Sequence, residues 1–380
     1  MKNDLLEILA CPCCPEASLD LRISNQEKNE IVSGELRCSV CNEIYLIQDG
    51  IPRMIHPFKD CSMENKKGLK KNLNSEHYEV REANITYYDS VAEVYENEIE
   101  QAVHQSEFNQ KRMDQMVKSL AEKTKKELFL DLGCGTGNVL KFGKKHFRKA
   151  VGIDISFNML KQAKKNNLEV IQGDILFLPF KPSLFDVVSI FSVLHHLYDY
   201  QQIFNQITRV LKTGGYLYSD WDPTKKPSPE GRKISWGIYR LAHNMFSKME
   251  AVKSKLKFIL KKNDSRTSTV DFMKMRPDLK EIHTKAEFHN ITKVEERGID
   301  FPIVKNQLEL QGFCDIQAFY HQSGLTLNQL RGIPFLKSKL LAFLGFDPEP
   351  FLENILILAK KKKVSLEKAL SVSLERCERE

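Results

Sequence analysis

Long apolar runs are absent from this sequence of 380 residues. The longest candidate, Leu184–Leu194, is interrupted by Asp186 and falls short of the roughly 18 residues that a transmembrane helix requires. The N-terminal stretch MKNDLLEILACP has neither a basic start nor a long apolar segment, so we expect no secretion signal. We therefore predict a cytoplasmic protein without a transmembrane segment.

A disulfide framework is absent as well. Four of the nine cysteines form two Cys-x-x-Cys pairs in a chain with no expected export signal, which favours metal binding in a reducing compartment. Each pair can place two thiolates on one side of a tight turn, and two pairs complete a tetrahedral site. The spacing predicts a structural zinc with the ligands Cys11, Cys14, Cys38 and Cys41. Cys13 could replace Cys14, and the sequence leaves that alternative open.

The segments that flank these pairs resemble a known family. Leu5–Pro12 before the first pair and Tyr45–Met54 after the second are similar to the zinc ribbons that act as small activator subunits of several tRNA, rRNA and release-factor methyltransferases. The resemblance covers the first 55 residues, roughly. It implies a zinc that lets a very small domain fold, and it is compatible with a docking role.

The chain is organised around a glycine-rich stretch, Leu128–Asn138, that reads LFLDLGCGTGN. An apolar run that ends in closely spaced glycines predicts a buried parallel strand turning sharply into a helix. Asn138 stands where a dinucleotide-binding loop would have its third glycine, and Asp131 before the loop would repel a pyrophosphate. The stretch therefore favours a cationic, amino-acid-like cofactor over NAD.

Asp131–Gly137 resembles the first motif of the class I, Rossmann-like, S-adenosylmethionine-dependent methyltransferases. The later segments keep the order of that family, and the core is similar to the broad subfamily that includes quinone and other small-molecule methyltransferases. The segments resembling its second to fifth strands are Val151–Ile155, Gly173–Ile175, Phe185–Phe191 and Arg209–Tyr218. Five motifs in order over about ninety residues are far more specific than one glycine loop.

The resemblance implies S-adenosylmethionine as the cofactor and assigns residues to its parts. The methionine end would lie at the loop residues Asp131, Gly133, Gly135 and Gly137. Asp154 would take the ribose hydroxyls, since a ribose-binding acid is expected about 20 residues beyond such a loop. The adenine would lie among Ile155, Met159, Asp174 and Ile175, and the backbone around Phe191 would line the far side. Tyr88 and Tyr95 belong to a leading helix whose aromatic residues would close over the cofactor, although packing on the sheet explains them equally well.

The predicted fold is α/β: a Rossmann-like, seven-stranded methyltransferase sheet with helices on both faces, preceded by a small zinc ribbon. Phe301–Gly312 resembles the last crossover helix, and Phe313–Tyr320 and Ile355–Lys360 resemble the closing strands. The expected domains are a zinc ribbon (1–57), a linker (58–83), the cofactor-binding core (84–221), a basic helical lid insertion (222–300), the C-terminal part of the core (301–361, with an insertion at 325–350) and a charged terminal helix (362–380).

The net charge of +7 is concentrated in one stretch. Residues 225–262 contain eleven Lys or Arg residues and two acids, a local charge of 11 − 2 = +9, and their apolar residues recur at helical spacing. A basic amphipathic helix suits RNA or an anionic lipid surface. A solvated helix packed on its apolar stripe explains most of these lysines individually, so a partner is predicted only for the cluster as a whole.

Two histidines follow the fourth predicted strand, at the carboxyl edge where ligands bind in such sheets. His195 and His196 are therefore the candidate catalytic residues, because histidine titrates near neutral pH and could act as a base. The pair is also common in relatives that act on quite different acceptors. An Asn-Pro-Pro-Tyr-like motif is absent from this strand end, which disfavours adenine or glutamine amino groups as acceptors.

The sequence thus predicts an S-adenosylmethionine-dependent methyltransferase that carries its own zinc ribbon. The ribbon and the basic stretch favour RNA, such as tRNA or rRNA, as the acceptor, whereas the core favours a small or lipid-like molecule. The alternative is a cofactor-binding scaffold that activates another methyltransferase and has little activity of its own.

Overall fold

The structure, a computed structural model, describes residues 1–56, 75–95, 104–197, 200–224, 298–321 and 354–362. Two β-sheets organise these residues: an antiparallel sheet of four strands at the N-terminus and a sheet of seven strands that follows it. The predicted basic stretch at 225–262, the insertion at 325–350 and most of the predicted terminal helix lie outside the described residues.

The N-terminal sheet is a ribbon in which each strand pairs with its neighbour in sequence. Its strands are β1 (Leu19–Glu27), β2 (Glu30–Cys38), β3 (Ile44–Gln48) and β4 (Ile51–Pro52). Strand β3 alternates between exposed and buried residues, as expected for a sheet with one face toward solvent. Its buried residues include Tyr45, whose hydroxyl lies 3.2 Å from Cys11 Sγ.

The second sheet forms the core of the molecule together with the helices around it. Its strands are β5 (Leu128–Leu132), β6 (Lys149–Asp154), β7 (Val170–Gln172), β8 (Phe185–Phe191), β9 (Leu211–Pro223), β10 (Phe313–His321) and β11 (Asn354–Lys361). The described α-helices are α1 (Ser75–Val91), α2 (Glu107–Glu122), α3 (Leu140–His146), α4 (Phe157–Lys165), α5 (Tyr200–Val210) and α6 (Phe301–Leu310).

The strand order of the core sheet is β10-β11-β9-β8-β5-β6-β7. Strands β5 to β9 pair in parallel, and β10 and β11 add an antiparallel hairpin beside β9. All five residues of β5 are buried, because helices pack on both faces of a parallel sheet. This architecture confirms the predicted Rossmann-like fold with its N-terminal ribbon. The carboxyl ends of β5, β6, β7 and β8 lie side by side along one edge.

The ribbon docks against the β7 side of the core sheet. Arg53, just after β4, pairs in parallel with Gln172 of β7, and the Met54 N–H donates to the Gln172 carbonyl at 2.7 Å. Leu9 pairs with Phe180 farther along, and the Ala10 N–H donates to the Pro179 carbonyl at 2.9 Å. One continuous apolar cluster joins residues of both parts, including Met1, Leu5, Leu9, Ile171, Leu178 and Phe180.

Helix α1 begins at Ser75, inside the predicted linker 58–83. The residues of this helix are mostly polar, so the sequence shows no clear hydrophobic periodicity there, but they include good helix formers such as Glu82 and Ala83.

Among the residues that the structure describes, no helix is long and apolar enough to cross a membrane.

Candidate functional site

The glycine loop connects the carboxyl end of β5 to helix α3 and has a left-handed backbone at three positions. Gly133, Gly135 and Gly137 have φ angles of 65°, 51° and 96°. A Cβ at Gly133 would lie 2.4 Å from Val193 Cγ2, and one at Gly137 would lie 2.1 Å from Leu168 Cδ1. Only glycine fits these positions, and the loop backbone is left open to a close ligand.

Two carboxylates frame this loop at the ends of adjacent strands. Asp131 ends its strand beside Ser189, whose hydroxyl donates to Asp131 Oδ1 at 2.6 Å. Asp154 Oδ2 accepts the Gly135 N–H at 2.8 Å, and Asp154 Oδ1 accepts the Ser156 N–H at 2.9 Å. Burial raises the pKa of Asp131 to about 7 and that of Asp154 to about 6. A ligand ammonium group beside Asp131 would stabilise its ionised form, so the site suits an amino acid.

A third acid continues the row at the end of β7. The Asp174 carboxylate accepts the Leu176 N–H at 2.9 Å and so caps a one-turn helix that begins at Ile175. Met159, on α4, is buried, and its Cε lies 3.4 Å from the place that a Gly135 Cβ would take. The Ile155 carbonyl accepts a hydrogen bond from the Gln172 amide at 3.0 Å. The predicted residues of the adenine end therefore lie together beside the loop.

Helix α1 crosses this edge and is attached to it at several points. The Ser156 hydroxyl and the Asn158 N–H donate to Asp89 Oδ1 at 2.6 and 2.9 Å, so Asp89 caps the start of α4. The Tyr88 hydroxyl lies 3.1 Å from His196 Nε2, and its ring packs edge-on against Tyr95 at 5.9 Å between centroids. The structure thus places Tyr88 against the end of β8 and pairs it with one of the two candidate histidines.

The other histidine has a carboxylate partner. His195 Nδ1 lies 2.8 Å from Asp222 Oδ1, and the His195 backbone N–H donates to the same oxygen at 3.1 Å. The Ser219 hydroxyl donates to Asp222 Oδ2 at 3.3 Å. The Asp222 side chain is fully buried, whereas that of His195 is 13% exposed. Burial raises the pKa of Asp222 to about 7, even though hydrogen bonding from His195 opposes the rise.

An aromatic cluster lies next to this pair at the ends of β8 and β9. Phe191 packs on Trp221 and on His104, with ring centroids 6.0 and 5.3 Å apart. Beneath them the buried Asp220 carboxylate accepts hydrogen bonds from Tyr218 Oη at 2.9 Å and pairs with Arg112 Nη2 at 2.8 Å. Phe191 therefore belongs to a wall of aromatic rings that pack edge-on or tilted against one another.

The cysteine cluster lies in the ribbon, apart from this edge. The Sγ atoms of Cys11, Cys14, Cys38 and Cys41 all lie within 4.8 Å of one another, and those of Cys11 and Cys41 are 3.7 Å apart. A tetrahedral zinc with Zn–S bonds of about 2.3 Å separates its sulfurs by about 3.8 Å. The cluster fits a structural zinc. Cys14 belongs to the cluster, while Cys13 Sγ lies 3.9 Å from the Tyr45 hydroxyl.

Sequence reasoning missed several residues of this edge. Asp222 follows the segment Arg209–Tyr218 and lies outside the part that resembles the family, so no motif marked it, although an acid at the end of a strand was a usable signal. Asp89 stands next to the predicted Tyr88, and only its contacts across the sheet edge reveal its role. His56 and Arg81 are adjacent to Phe177 and Asp174 for the same non-local reason.

Comparisons with protein families agree with this division of the chain. A family model described as a methyltransferase domain matches residues 130–219. A second model, described as Trm112p-like protein, matches residues 2–50. The two matched ranges correspond to the glycine loop with its following strands and to the ribbon.

Individual relatives match longer parts of the chain. A demethylmenaquinone methyltransferase of Staphylococcus aureus is 31% identical over 171 residues, 43% of this chain and 68% of that protein. An uncharacterised protein of Methanocaldococcus jannaschii is 29% identical over 252 residues, covering 64% of this chain and 82% of the relative. The chain spans between 38% and 51% of the length of several other curated relatives. Among solved structures, a complex of the Haloferax volcanii Trm112 methyltransferase activator has a TM-score of 0.41 at 12% identity, covering 73% of this chain and 98% of that one.

Proposed function

The chain belongs to the family of S-adenosylmethionine-dependent methyltransferases, and from that membership we propose that it methylates an acceptor atom that loses a proton, with His195 as the proton acceptor. The observation that carries this proposal is the hydrogen-bonded pair of His195 and Asp222 at the carboxyl ends of β8 and β9. Bound S-adenosylmethionine supplies an electrophilic methyl group on a sulfonium centre. The residues of the chain align the methyl donor with the acceptor and supply a base.

The cofactor assignment follows the row of acids. Asp131 and the loop from Gly133 to Gly137 would hold the methionine part, Asp154 the ribose hydroxyls and Asp174 the adenine amine. The spacing supports this, because the three acids lie at or just beyond the carboxyl ends of three adjacent parallel strands. Ile155, Met159 and Ile175 would bound the adenine, and Tyr88 on α1 would hold the site closed through His196. Alignment of donor and acceptor can supply much of the acceleration in such a displacement.

The two histidines take different roles in this proposal. A neutral imidazole that donates its Nδ1 proton to Asp222 carries its lone pair on Nε2, and the carboxylate stabilises the imidazolium that forms. His195 Nε2 would take the acceptor's proton as the acceptor atom forms its bond to the methyl group. Bound S-adenosylmethionine would supply that methyl group, and its sulfur would leave with the electron pair of the methyl–sulfur bond. His196, bonded to Tyr88, positions the helix α1.

A small or lipid-like molecule is the best supported acceptor. Relatives named as demethylmenaquinone methyltransferases support it, as does the aromatic wall of Phe191, Trp221 and His104. The charge of the stretch 225–262 favours RNA as the second candidate. An RNA acceptor requires phosphate contacts, and these release counterions, so binding would weaken steeply with salt.

The scaffold alternative has less support from the geometry. An activator ribbon must offer a surface to another methyltransferase. Here the residues just after β4 and the apolar residues before the first cysteine pair are already packed against β7 and Phe180 of the same chain. The His195–Asp222 pair also gives the chain a base that a pure scaffold would not need.

The test is transfer of radiolabelled methyl groups to lysate from cells that lack this protein, separated into RNA, protein and lipid-soluble fractions. Label in the lipid-soluble fraction at a rate insensitive to salt is expected. His195→Gln and Asp222→Asn should lower the rate about 100-fold or more, the usual contribution of a positioned base. The pH profile should rise through neutrality and lose that rise in Asp222→Asn, because the pKa of Asp222 lies near 7.

His146→Gln is the matched control, because His146 Nε2 also pairs with an aspartate, Asp114, at 2.6 Å, but at the far end of α3. It should transfer label at the wild-type rate. Salt-sensitive label in RNA would replace the small molecule by RNA. If the pH profiles of His195→Gln and Asp222→Asn both match that of the wild type, His195 does not act as a base. If the protein binds the cofactor but labels none of the fractions, the scaffold alternative is favoured.

A further inference from the structure

The strand that leaves the ribbon runs toward the cofactor edge of the core. We call residues 51–56 the exit segment. Because Arg53 pairs in parallel with Gln172, the exit segment has the direction of β7, and residues after Arg53 approach the same edge as Asp174. Arg53 Nε also donates to Gln172 Oε1 at 2.8 Å, which fixes the register. The ribbon thereby reaches the end of the sheet at which the adenine was assigned.

The last described residue of the exit segment, His56, lies on the turn that follows Asp174. Its ring stacks on Phe177 with 4.2 Å between centroids and an interplanar angle of 30°. Phe177 ends the one-turn helix that the Asp174 carboxylate caps. Burial, assisted by the charge of Arg81, lowers the pKa of His56. The ring is therefore neutral near pH 7, as suits a stacked aromatic surface.

Helix α1 brings a cation to the same place. Arg81 Nε lies 3.8 Å from Asp174 Oδ2, and the two side chains are only 12% and 8% exposed. The other carboxylate oxygen accepts the Leu176 N–H. A cation at this distance, in a site with little water, stabilises the ionised form of the acid and restricts its orientation.

We propose that His56 of the ribbon and Arg81 of α1 are parts of the adenine-binding site and select a 6-aminopurine. Arg81 keeps the Asp174 carboxylate ionised and oriented toward the 6-amino group. His56 holds Phe177 and, through it, the turn that carries Asp174 and Ile175. A 6-oxopurine would place an oxygen against the carboxylate where the 6-amino group would donate an N–H, which costs affinity. This inference rests on the assignment of Asp174 to the adenine in the proposed function.

The test is calorimetric binding of S-adenosylhomocysteine and of S-inosylhomocysteine, its 6-oxo analogue, to the zinc-loaded full chain. The wild type should prefer the 6-amino ligand by at least tenfold. His56→Ala and Arg81→Gln should weaken the 6-amino ligand about tenfold and the 6-oxo ligand much less, so the preference narrows. His56→Phe keeps an aromatic ring on Phe177 and should keep the wild-type preference for the 6-amino ligand. Ile23→Ala, at an exposed position of β1, is the ribbon control and should match the wild type.

Each outcome decides one assignment. If His56→Ala and Arg81→Gln leave the preference unchanged, both residues only pack against the turn that follows β7, and the inference is overturned. An equal loss for both ligands in the two variants overturns it as well, because the loss is then not directed at the amino group. If Asp174→Ala binds S-adenosylhomocysteine as tightly as the wild type, the cofactor assignment itself fails, whatever His56 does.

Discussion

The ribbon and the core sheet obtain their stability in different ways. Every residue of β5 is buried, so the core is stabilised mainly by the apolar surface that it removes from water. The ribbon has a face toward solvent, where Ile44 and Leu46 are 43% and 50% exposed. A unit of this size is only marginally stable on its own, so we expect it to depend on the metal and on its contact with β7 and Phe180 of the core, which we call the seam. We therefore expect the folded state of the ribbon to require a metal ligand and contacts that the core does not need.

Removal of the zinc should give the largest effect and separate the two regions. Structural zinc sites contribute about 10–16 kcal/mol of apparent binding free energy, so a chelator or Cys38→Ser should unfold the ribbon. Hydrogen exchange followed by mass spectrometry should show residues 1–56 losing protection while β5 and β8 keep it. Ribbon amides that stay protected in chelator would show that the seam alone holds the ribbon.

The two regions should respond to pH with opposite sign. The folded pKa of Asp131, about 7, lies above its ordinary value of 3.8, so the folded core binds more protons than the unfolded chain between these values. The contribution of Asp131 to the free energy of unfolding is complete below pH 4 and is lost as the pH rises through 7. The loss is on the order of 3–5 kcal/mol, at 1.36 kcal/mol per pKa unit.

Glu30, on the ribbon side of the seam, behaves in the other way. Burial raises its pKa, but hydrogen bonds from Lys164 and the N-terminal ammonium outweigh it and leave the pKa lowered. That contribution is present above pH 4.5 and is lost as pH falls. Denaturant unfolding at pH 5 and pH 8 should show a core that is weaker at pH 8, and Asp131→Asn should flatten this dependence. An unchanged slope in that variant would contradict the assignment of the loss to Asp131.

A substitution in the glycine loop should affect the core alone. Gly137→Ala forces a side chain onto a φ of 96° and against Leu168, which should cost about 3 kcal/mol. Gly214→Ala is the matched control: its φ is 81°, but nothing lies within 4 Å, so strain alone should cost about 1 kcal/mol. Equal midpoints for the two variants in a urea titration would mean that the loop relaxes around the new methyl group.

The smallest effect is expected at the seam. Arg53→Ala removes the hydrogen bond to Gln172 and the contact of the guanidinium with the Phe157 ring at 4.8 Å. The backbone pairing of Met54 with Gln172 remains, so we expect a loss of about 1 kcal/mol. Local exchange rates of β4 should rise while those of β9 stay the same. A loss as large as that on chelation would make Arg53, and not the metal, the main support of the ribbon.

The sequence predicted the architecture because its signals are local. The glycine loop, the acids that follow it and the two cysteine pairs each mark a position within a few residues, and the motifs follow one another in the order of the family they resemble. The cofactor assignments of Asp131, Asp154 and Asp174 stay predictions, although the structure brings them together. The ligand set with Cys14 is consistent with the cluster that forms.

What could not be predicted depends on residues far apart in the chain. His195 and His196 are equivalent in sequence, and only the approach of Asp222 to one and Tyr88 to the other distinguishes them. The pairing of Arg53 with Gln172 joins residues 119 positions apart through the backbone as well as the side chains, and patterns of residue type along the sequence do not reveal a backbone pairing. The start of α1 was misplaced because its polar residues carry little apolar periodicity.

Because the ribbon and the core belong to one chain, their stoichiometry is fixed. A ribbon on the same chain as its methyltransferase meets it at a local concentration on the order of millimolar, whatever the level of expression. A free ribbon with the same surface would have to reach a comparable concentration to displace it. Ribbon and core are therefore always made one to one, and a change in expression alters the amounts of both together.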